Sequence, residues 1–121
     1  MATDKKMLGD WGERQAVLFL ERRNYVIIAR NYRTRGGELD IIARDSHGVL
    51  CFVEVKTRSY WYESAARATG YFKLSNLQFA ARWYLREVGI SPDMTPIRFE
   101  QVGVYVNREK KTIQLRLQAI I

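Results

Sequence analysis

The residues best suited to chemistry are two carboxylates and a lysine at the ends of two neighbouring apolar runs. Asp40 lies near the start of the first run, and Glu54 and Lys56 lie near the end of the second. At a separation of roughly 5 Å and an effective dielectric of ~20, the two carboxylates repel by about 3 kcal/mol, and Lys56 neutralises only one of them. A divalent hard cation offsets this repulsion and leaves coordination positions for a phosphate. The pattern therefore predicts a site for Mg²⁺ or Mn²⁺, and the alternative is a structural salt bridge of Lys56 with one carboxylate.

The two runs are predicted to form a β-hairpin. Residues 39–44 and 49–56 are rich in β-branched side chains, and the polar linker between them ends in Gly48, which can adopt a positive φ. In a three-residue loop with Gly48 in the left-handed region, Asp45 pairs with Val49. A four-residue loop would slip the register. The length of the loop therefore decides which residues of the hairpin face one another.

The three-residue loop brings the polar residues of the hairpin together. Its register places Asp40 opposite Glu54 and Glu38 opposite Lys56. Because successive side chains of a strand alternate between faces, all four would emerge on one side, at the end of the hairpin away from its turn. Glu38 would then tune Lys56 or would simply be a solvated residue at the start of its strand.

The rest of the pattern predicts an α/β protein with the element order αβββαββ. Apolar residues at helical spacing indicate two helices, and β-branched runs indicate five strands. The predicted ranges are helices at about 8–23 and 71–88, and strands at 25–30, 39–44, 49–56, 97–106 and 112–117. We expect a single endonuclease-like domain over residues 1–121, in which a mixed sheet of about five strands is flanked by helices.

The two hairpin motifs resemble those of a known family. Residues 37–43 and 52–58 closely resemble the YraN-like family of uncharacterised bacterial proteins, and the similarity extends over most of the chain. That family is similar to the PD-(D/E)xK nuclease superfamily, near the archaeal Holliday-junction resolvases. The resemblance implies a restriction-endonuclease-like three-layer core. The chain departs from the family pattern at residues 60–69 and at Glu100, where the family usually has aspartate.

The resemblance also implies catalytic roles for individual residues. Asp40, Glu54 and the backbone carbonyl of Val55 would bind the metal ion, and Lys56 would orient the attacking water or stabilise the developing charge. Glu13 would complete the acidic cluster by holding a water molecule or a second ion. Hydrolysis by such a site would leave a 5′-phosphate.

Glu13 lies in the first predicted helix. It shares a helical stripe with three apolar residues, Ala16, Val17 and Leu20. Its carboxylate should therefore point towards the protein, where it needs a partner. The alternative to a catalytic role is a salt bridge to Arg30 or Arg33 at the edge of the domain.

The chain is strongly basic, which favours a polyanionic partner. Its 20 Lys and Arg residues exceed its 13 Asp and Glu residues and give a formal net charge of +7. The basic residues near the predicted site are interleaved with aromatic residues, a mixture that suits phosphates and unpaired bases. We expect nucleic acid to contact Arg30, Arg33, Arg35, Arg58 and Lys73. The alternative is a solvated basic face, with Trp11 and Trp83 in the core or at an interface.

The single cysteine, the single histidine and the lack of a long apolar run argue against zinc-binding, histidine-nucleophile and membrane-spanning proteins. Cys51 is the only cysteine and is predicted to be a small buried hydrophobe, and His47 is the only histidine and lies in a turn, so a zinc site or a histidine nucleophile is not expected. No apolar run approaches the ~20 residues of a membrane span, and the N-terminus lacks a signal-peptide core. We expect a cytoplasmic protein without a membrane partner.

These observations favour a metal-dependent, structure-selective deoxyribonuclease that acts on branched or junction DNA in repair or recombination. DNA is expected ahead of RNA. A catalytically silent nucleic-acid-binding module, or an accessory protein with the same fold, is the alternative. The four bulky aromatic residues of segment 60–71 further predict a homodimer. The alternative is that these rings pack on the monomer's own core or await substrate.

Overall fold

The computed structural model describes residues 4–58 and 71–120. Within these residues, two helices and five strands follow one another in the predicted order αβββαββ. They are α1 (Asp4–Arg22), β1 (Val26–Thr34), β2 (Gly37–Arg44), β3 (Leu50–Arg58), α2 (Tyr71–Val88), β4 (Ile97–Asn107) and β5 (Thr112–Ala119). The α/β class and the order of the elements are confirmed.

The five strands form one mixed sheet with the order β1-β2-β3-β4-β5. Strands β3 and β4 are parallel, and the other neighbouring strands are antiparallel. The parallel pair follows from α2, since a chain that returns to run alongside the previous strand in the same direction needs a long crossover, usually a helix. The architecture is consistent with the restriction-endonuclease-like fold that the sequence predicts.

Each face of the sheet is covered by one helix. On one face, α2 packs Leu77 and Leu85 into a core that includes Ile42 and Phe52. On the other face, α1 packs Ala16 and Leu20 into a second core with other residues of the sheet, among them Ile41, Ala43, Cys51, Val53, Val102 and Val104. Strand β3 therefore contributes alternate residues to two cores, which explains why its sequence is an almost continuous apolar run.

The turn between β2 and β3 has the predicted length. Asp45 N donates a hydrogen bond to the Val49 carbonyl at 3.0 Å, and Gly48 has a φ of 85°. The side chain of Asp45 also accepts hydrogen bonds from the backbone N–H groups of His47 and Val49, each at 2.9 Å. The register that follows pairs Ile42 with Phe52, as predicted. The three-residue loop is confirmed.

A charged cluster fixes this turn to the middle of the sheet. Arg98 Nη2 on β4 lies 2.7 Å from Asp45 Oδ2, and Arg98 Nε lies 3.4 Å from Glu100 Oε2. The Tyr25 hydroxyl donates to Glu100 Oε1 at 2.9 Å. Burial alone would raise the pKa of Asp45, but the hydrogen bonds from Val49 and Arg98 outweigh burial and lower it. Glu100 is thus part of a structural network, and the buried Cys51 contacts Arg98 of the same network.

Two features differ from the sequence-based predictions or refine them. β1 was predicted to end at residue 30 but continues to Thr34, past Asn31, whose φ is 52°. Polar residues at a sheet edge carry no apolar alternation, so the pattern could not show this extension. Trp83 was predicted to lie in the core or at an interface; its side chain is 44% exposed and therefore does not lie in the core. Neither described helix is long and apolar enough to cross a membrane.

Candidate active site

Asp40 lies at an irregular point of β2. Leu39 and Ile42 pack into the same core below α2, whereas strict alternation would place them on opposite faces. On the neighbouring strand, Asn31 has a positive φ close to this point. The regular alternation that the sequence suggested for the hairpin therefore does not hold at Asp40. The pairing of β1 with β2 stays in register at this point, and the register shift between the two strands lies between Ile27 and Ala29.

A hydrogen bond to β3 fixes the Asp40 carboxylate. The last pair recorded between β2 and β3 is Ile41 with Val53. Beyond it, Asp40 Oδ2 accepts a hydrogen bond from the Val55 backbone N–H at 2.8 Å. The Val55 N–H therefore donates to a side-chain oxygen instead of to a backbone carbonyl of the neighbouring strand. Beyond Ile41 and Val53, no further pair of β2 with β3 is recorded, and we call this place the gap between the two strands.

Glu54 and Lys56 lie on β3 at the edge of this gap. Glu54 is only 2% exposed, and its Oε1 lies 3.3 Å from Lys56 Nζ. The ion pair that the sequence offered as the structural alternative is therefore present. It can compensate one carboxylate, and Asp40 and Glu13 are further acidic groups at the same place. The pair positions the lysine without removing the excess of negative charge.

Glu13 reaches the same place from α1, which approaches β3 unusually closely. A Cβ atom added at Gly12 would lie 2.0 Å from Thr57 Oγ1, so this approach requires glycine. Glu13 Oε1 is buried and has no hydrogen-bond partner within the described residues. Burial first, then the charge of Asp40, raise the pKa of Glu13 to about 7, although Arg30 acts in the opposite direction.

One cleft collects the predicted residues. Its volume is about 310 Å³, and it is lined by Leu8, Gly9, Glu13, Asp40, Glu54, Val55, Lys56 and Thr57. The structure thus brings together the four residues predicted to be catalytic, and the predicted ligand Val55 is also at the cleft. We call this group the acidic cleft. Its carboxylates come from three different elements, α1, β2 and β3.

The donors of the acidic cleft fit a hard divalent cation. Within residues 4–58 and 71–120, no group of three or more His, Cys, Asp or Glu side chains is arranged to hold a metal ion. Mg²⁺, however, is commonly bound by only one or two carboxylates, with water and substrate phosphate completing the shell. Asp40 and Glu54 supply such a pair, and the buried Oε1 of Glu13 is a further oxygen that needs a partner. The oxygen-only set fits Mg²⁺ or Mn²⁺ better than zinc.

The predicted DNA-contacting residues are divided between the edge strand β1, the central strand β3 and helix α2. Arg30, Arg33 and Arg35 are exposed on β1 and in the turn that follows it. Arg58 is half-buried at the end of β3. Lys73 is the third residue of α2, and its side chain lies outside the described residues, as do residues 59–70, the segment on which the dimer prediction rests.

Glu38 differs from its predicted environment. The predicted pair with Lys56 is not among the recorded pairs of β2 and β3, which end at Ile41 and Val53. Glu38 instead forms an exposed ion pair with Arg33 of β1, with 3.3 Å between Arg33 Nε and Glu38 Oε1. It is not among the residues that line the acidic cleft. The separation of the two strands at Asp40 explains the difference.

Sequence reasoning missed two features of the site. The Val55 backbone N–H holds Asp40, which no side-chain pattern shows. The close approach of α1 to β3 at Gly12 positions Glu13. In the sequence, the only sign of this approach is Gly12 itself, because glycine is unfavourable inside a helix unless packing requires it.

Comparison with known proteins places the chain in a family. The model of the uncharacterised protein family UPF0102 matches residues 12–104. A UPF0102 protein of Koribacter versatilis is 40% identical over 93% of this chain and 78% of its own length. One of Desulforamulus reducens is 34% identical over 96% of this chain and 95% of its own.

A solved structure was also compared. SfsA of Pyrococcus furiosus in complex with Ca²⁺ covers 97% of this chain and 64% of its own, at 18% identity and a TM-score of 0.38, a likeness too low to support a conclusion. The family match does not depend on it, because both sequence relatives are matched over most of their length. The chain therefore belongs to the uncharacterised protein family UPF0102, the YraN-like family with a PD-(D/E)xK nuclease-like fold.

Proposed function

We propose that the protein is a metal-dependent endodeoxyribonuclease that hydrolyses phosphodiester bonds in branched or junction DNA, in repair or recombination. The observation that carries the proposal is the acidic cleft, in which Asp40, Glu54 and Lys56 lie together with Glu13. A surface that only binds DNA would gain nothing from three carboxylates next to phosphates, because like charges repel. The net charge of +7 supports a polyanionic substrate around this acidic centre.

The residues of the acidic cleft suit distinct tasks in this reaction. Asp40 and Glu54, with the Val55 carbonyl, would hold a Mg²⁺ or Mn²⁺ ion. When bound, such an ion supplies Lewis-acid stabilisation of the phosphodiester and makes a water molecule more acidic. The Val55 N–H orients the Asp40 carboxylate before substrate arrives, and this reduces the reorganisation that the reaction requires.

Lys56 and Glu13 would act on the attacking water and the phosphate. Lys56 Nζ can donate a hydrogen bond to the water or to a non-bridging phosphate oxygen as negative charge develops there. Glu13 can accept a hydrogen bond from the water on the side of α1, through the oxygen that is buried without a partner in the described structure. Attack by this water on phosphorus would break the bond to the 3′ oxygen, which leaves as a 3′-hydroxyl after protonation from solvent, and the other product would carry a 5′-phosphate.

A cleavage panel tests the proposal. Labelled four-way junction, flap, duplex and single-stranded DNA are incubated with the protein and either Mg²⁺ or Mn²⁺. We expect cleavage of a branched substrate, and we expect Glu54→Gln and Lys56→Ala each to lower the rate at least about 100-fold, which corresponds to ~3 kcal/mol of lost stabilisation. Glu38→Gln is the matched control, because it removes a carboxylate outside the acidic cleft, and its rate should stay near that of the wild type.

Two results would contradict the proposal. Unchanged rates for Glu54→Gln and Lys56→Ala would remove the acidic cleft from the reaction. Tight DNA binding without cleavage of any substrate in either metal would favour a catalytically silent binding module.

A further inference from the structure

Two aromatic side chains are exposed on the outer surface of α2. Phe79 and Trp83 are one helical turn apart, are 42% and 44% exposed, and have ring centroids 6.5 Å apart. The inner surface of the helix is already filled by Tyr84 and Leu85, which pack into the core. The exposed rings are therefore not needed for that core. Neighbouring exposed aromatic rings on a small protein mark a binding surface more often than isolated apolar residues do.

Arginines surround these rings. Arg82 and Arg86 flank Trp83 on α2, and the guanidinium of Arg86 lies 5.4 Å from the centre of the Trp83 ring. Arg33 and Arg35 approach Trp83 from the turn between β1 and β2. In the part of the chain that the structure describes, Arg33 is paired with Glu38, but the other three arginines form no salt bridge.

Trp83 lines two surface cavities. One, of about 230 Å³, lies between Phe79, Arg82, Trp83 and Arg86. The other, of about 370 Å³, is bounded by α2 and by the end of β1 that carries Arg33 and Arg35. The indole is thus accessible to ligands from two cavities, and each cavity combines an aromatic ring with arginines. Such a surface suits flat rings carried on an anionic chain.

The position of these rings is fixed by their contacts with β1 and the turn that follows it. A Cβ atom at Gly36 would lie 2.6 Å from Phe79 Cε2, so the Phe79 ring rests directly on the turn between β1 and β2. Tyr32 and Glu87 join the same strand and helix through a hydrogen bond from the Tyr32 hydroxyl. Because α2 covers the opposite face of the sheet from α1, the aromatic surface is separate from the acidic cleft, to which α1 contributes.

We propose that Trp83, together with Phe79, is a stacking platform for unpaired bases, and that Arg35, Arg82 and Arg86 bind the phosphates of the same strand. Bases in a duplex are already stacked on their neighbours, so the platform distinguishes a single strand or a strand end from paired DNA. A second copy of the chain fits this surface less well, because a two-fold contact would bring both sets of arginines together. The choice of DNA as the ligand rests on the proposed function, whereas the proposal that Trp83 stacks on bases does not rest on it.

Binding measured without cleavage tests the platform. A fluorescently labelled thymidine oligonucleotide of about 12 nucleotides is titrated with protein in EDTA, and anisotropy gives Kd. We expect Trp83→Ala to weaken binding roughly 5- to 150-fold, the range for loss of one stacked base, while Trp83→Phe retains most of the affinity. Leu18→Ala is the control, because Leu18 is similarly exposed, 46%, but lies on α1. Its Kd should stay within about twofold of the wild type.

Further measurements distinguish base stacking from other roles of this surface. Binding to a fully paired duplex should change less than about threefold in Trp83→Ala, and Arg82→Ala with Arg86→Ala should reduce the salt dependence of single-strand binding. A uridine oligonucleotide of equal length shows whether RNA is bound as well as DNA. Thermal melting of Trp83→Ala verifies its fold.

Three outcomes would overturn the platform. The first is a Kd of Trp83→Ala within twofold of the wild type. The second is an equal loss of duplex and single-strand binding in Trp83→Ala. The third is a change in the oligomeric mass of Trp83→Ala, measured by light scattering, while its single-strand binding is unchanged. The last result would make the surface an interface between copies. Failure of the proposed function is recognised separately, as absence of cleavage in Mg²⁺ while Trp83-dependent binding in EDTA persists.

Discussion

At the scale of single residues, the hydrogen bond from Val55 N–H to Asp40 Oδ2 links structure to chemistry most directly. It satisfies a backbone donor where the pairing of β2 and β3 ends, and it fixes the direction of a carboxylate at the mouth of the gap. A carboxylate that is held in this way loses less conformational entropy if it binds a cation. The hydrogen bond that ends the pairing of β2 and β3 is therefore the same one that orients the Asp40 carboxylate.

Glu13 gives the site a measurable pH dependence. Its pKa is raised from 4.5 to about 7, first by burial and then by Asp40. The folded protein therefore binds this proton more tightly than the unfolded chain, so the resulting stability is complete below pH 4.5 and is lost as the pH rises through 7. In EDTA at pH 8, we expect Glu13→Gln to melt a few degrees above the wild type, because glutamine cannot ionise.

The same comparison at pH 4 provides the control. Glu13 is then protonated in both states, so the two proteins should have similar melting temperatures. A wild type that is as stable as Glu13→Gln at pH 8 would show that the carboxylate is compensated by a partner.

At the scale of elements, the acidic cleft depends on how closely α1 approaches β3. Gly12 has no room for a side chain against Thr57, whereas an added Cβ at Gly9 would meet nothing within 4 Å. Both glycines lie within α1, so alanine improves the helical propensity equally at either position. The two substitutions therefore differ mainly in packing.

This difference predicts opposite effects on stability. Gly9→Ala should stabilise the protein by roughly 0.5–1 kcal/mol, as expected for an unhindered helical glycine. Gly12→Ala should destabilise it by about 1–3 kcal/mol through overpacking, less the gain in propensity. Urea denaturation of both variants measures the effects, and Thr57→Ala should recover part of the loss in Gly12→Ala. Equal stabilisation by both substitutions would show that α1 does not pack tightly on β3.

The elements differ in how far the sequence alone could predict them. The turn at Gly48 and the helix that ends before Gly89 depend on local residues, and both were predicted with the correct register or bounds. The irregularity at Asp40 and the pairing of Glu38 with Arg33 depend on neighbouring strands that are distant in sequence. Local patterns do not contain such contacts. The predicted dimer remains a prediction, because residues 59–70 lie outside the described structure.

At the scale of the whole molecule, charge is divided between an acidic centre and basic surroundings. The chain has 20 basic and 13 acidic residues, yet the acidic cleft gathers three carboxylates around one lysine. Exposed arginines lie elsewhere on the surface, on β1 and on α2. A polyanion would therefore be attracted to the protein as a whole, and its entry into the acidic cleft would be favoured by a cation.

This distribution predicts strongly salt-dependent DNA binding. Each phosphate that an arginine neutralises on duplex DNA should contribute about 0.9 to the slope of log Kd against log salt concentration. Arg33→Ala and Arg58→Ala should each reduce the slope by up to about 1 without altering sequence preference. Binding titrations from low to moderate salt measure it. An affinity independent of salt would argue against phosphate contacts.

Asp40 is proposed to bind the metal ion of a phosphodiesterase site. The most direct test of this role is the single-turnover rate on the best branched substrate, with the wild type and Asp40→Asn compared at saturating protein in Mg²⁺ and in EDTA. We expect the wild type to cleave only with Mg²⁺, and Asp40→Asn to cleave at least about 100-fold more slowly while it binds the substrate equally well. Cleavage by Asp40→Asn at the wild-type rate would contradict the role of Asp40, and wild-type cleavage that persists in EDTA would contradict the dependence on a metal ion.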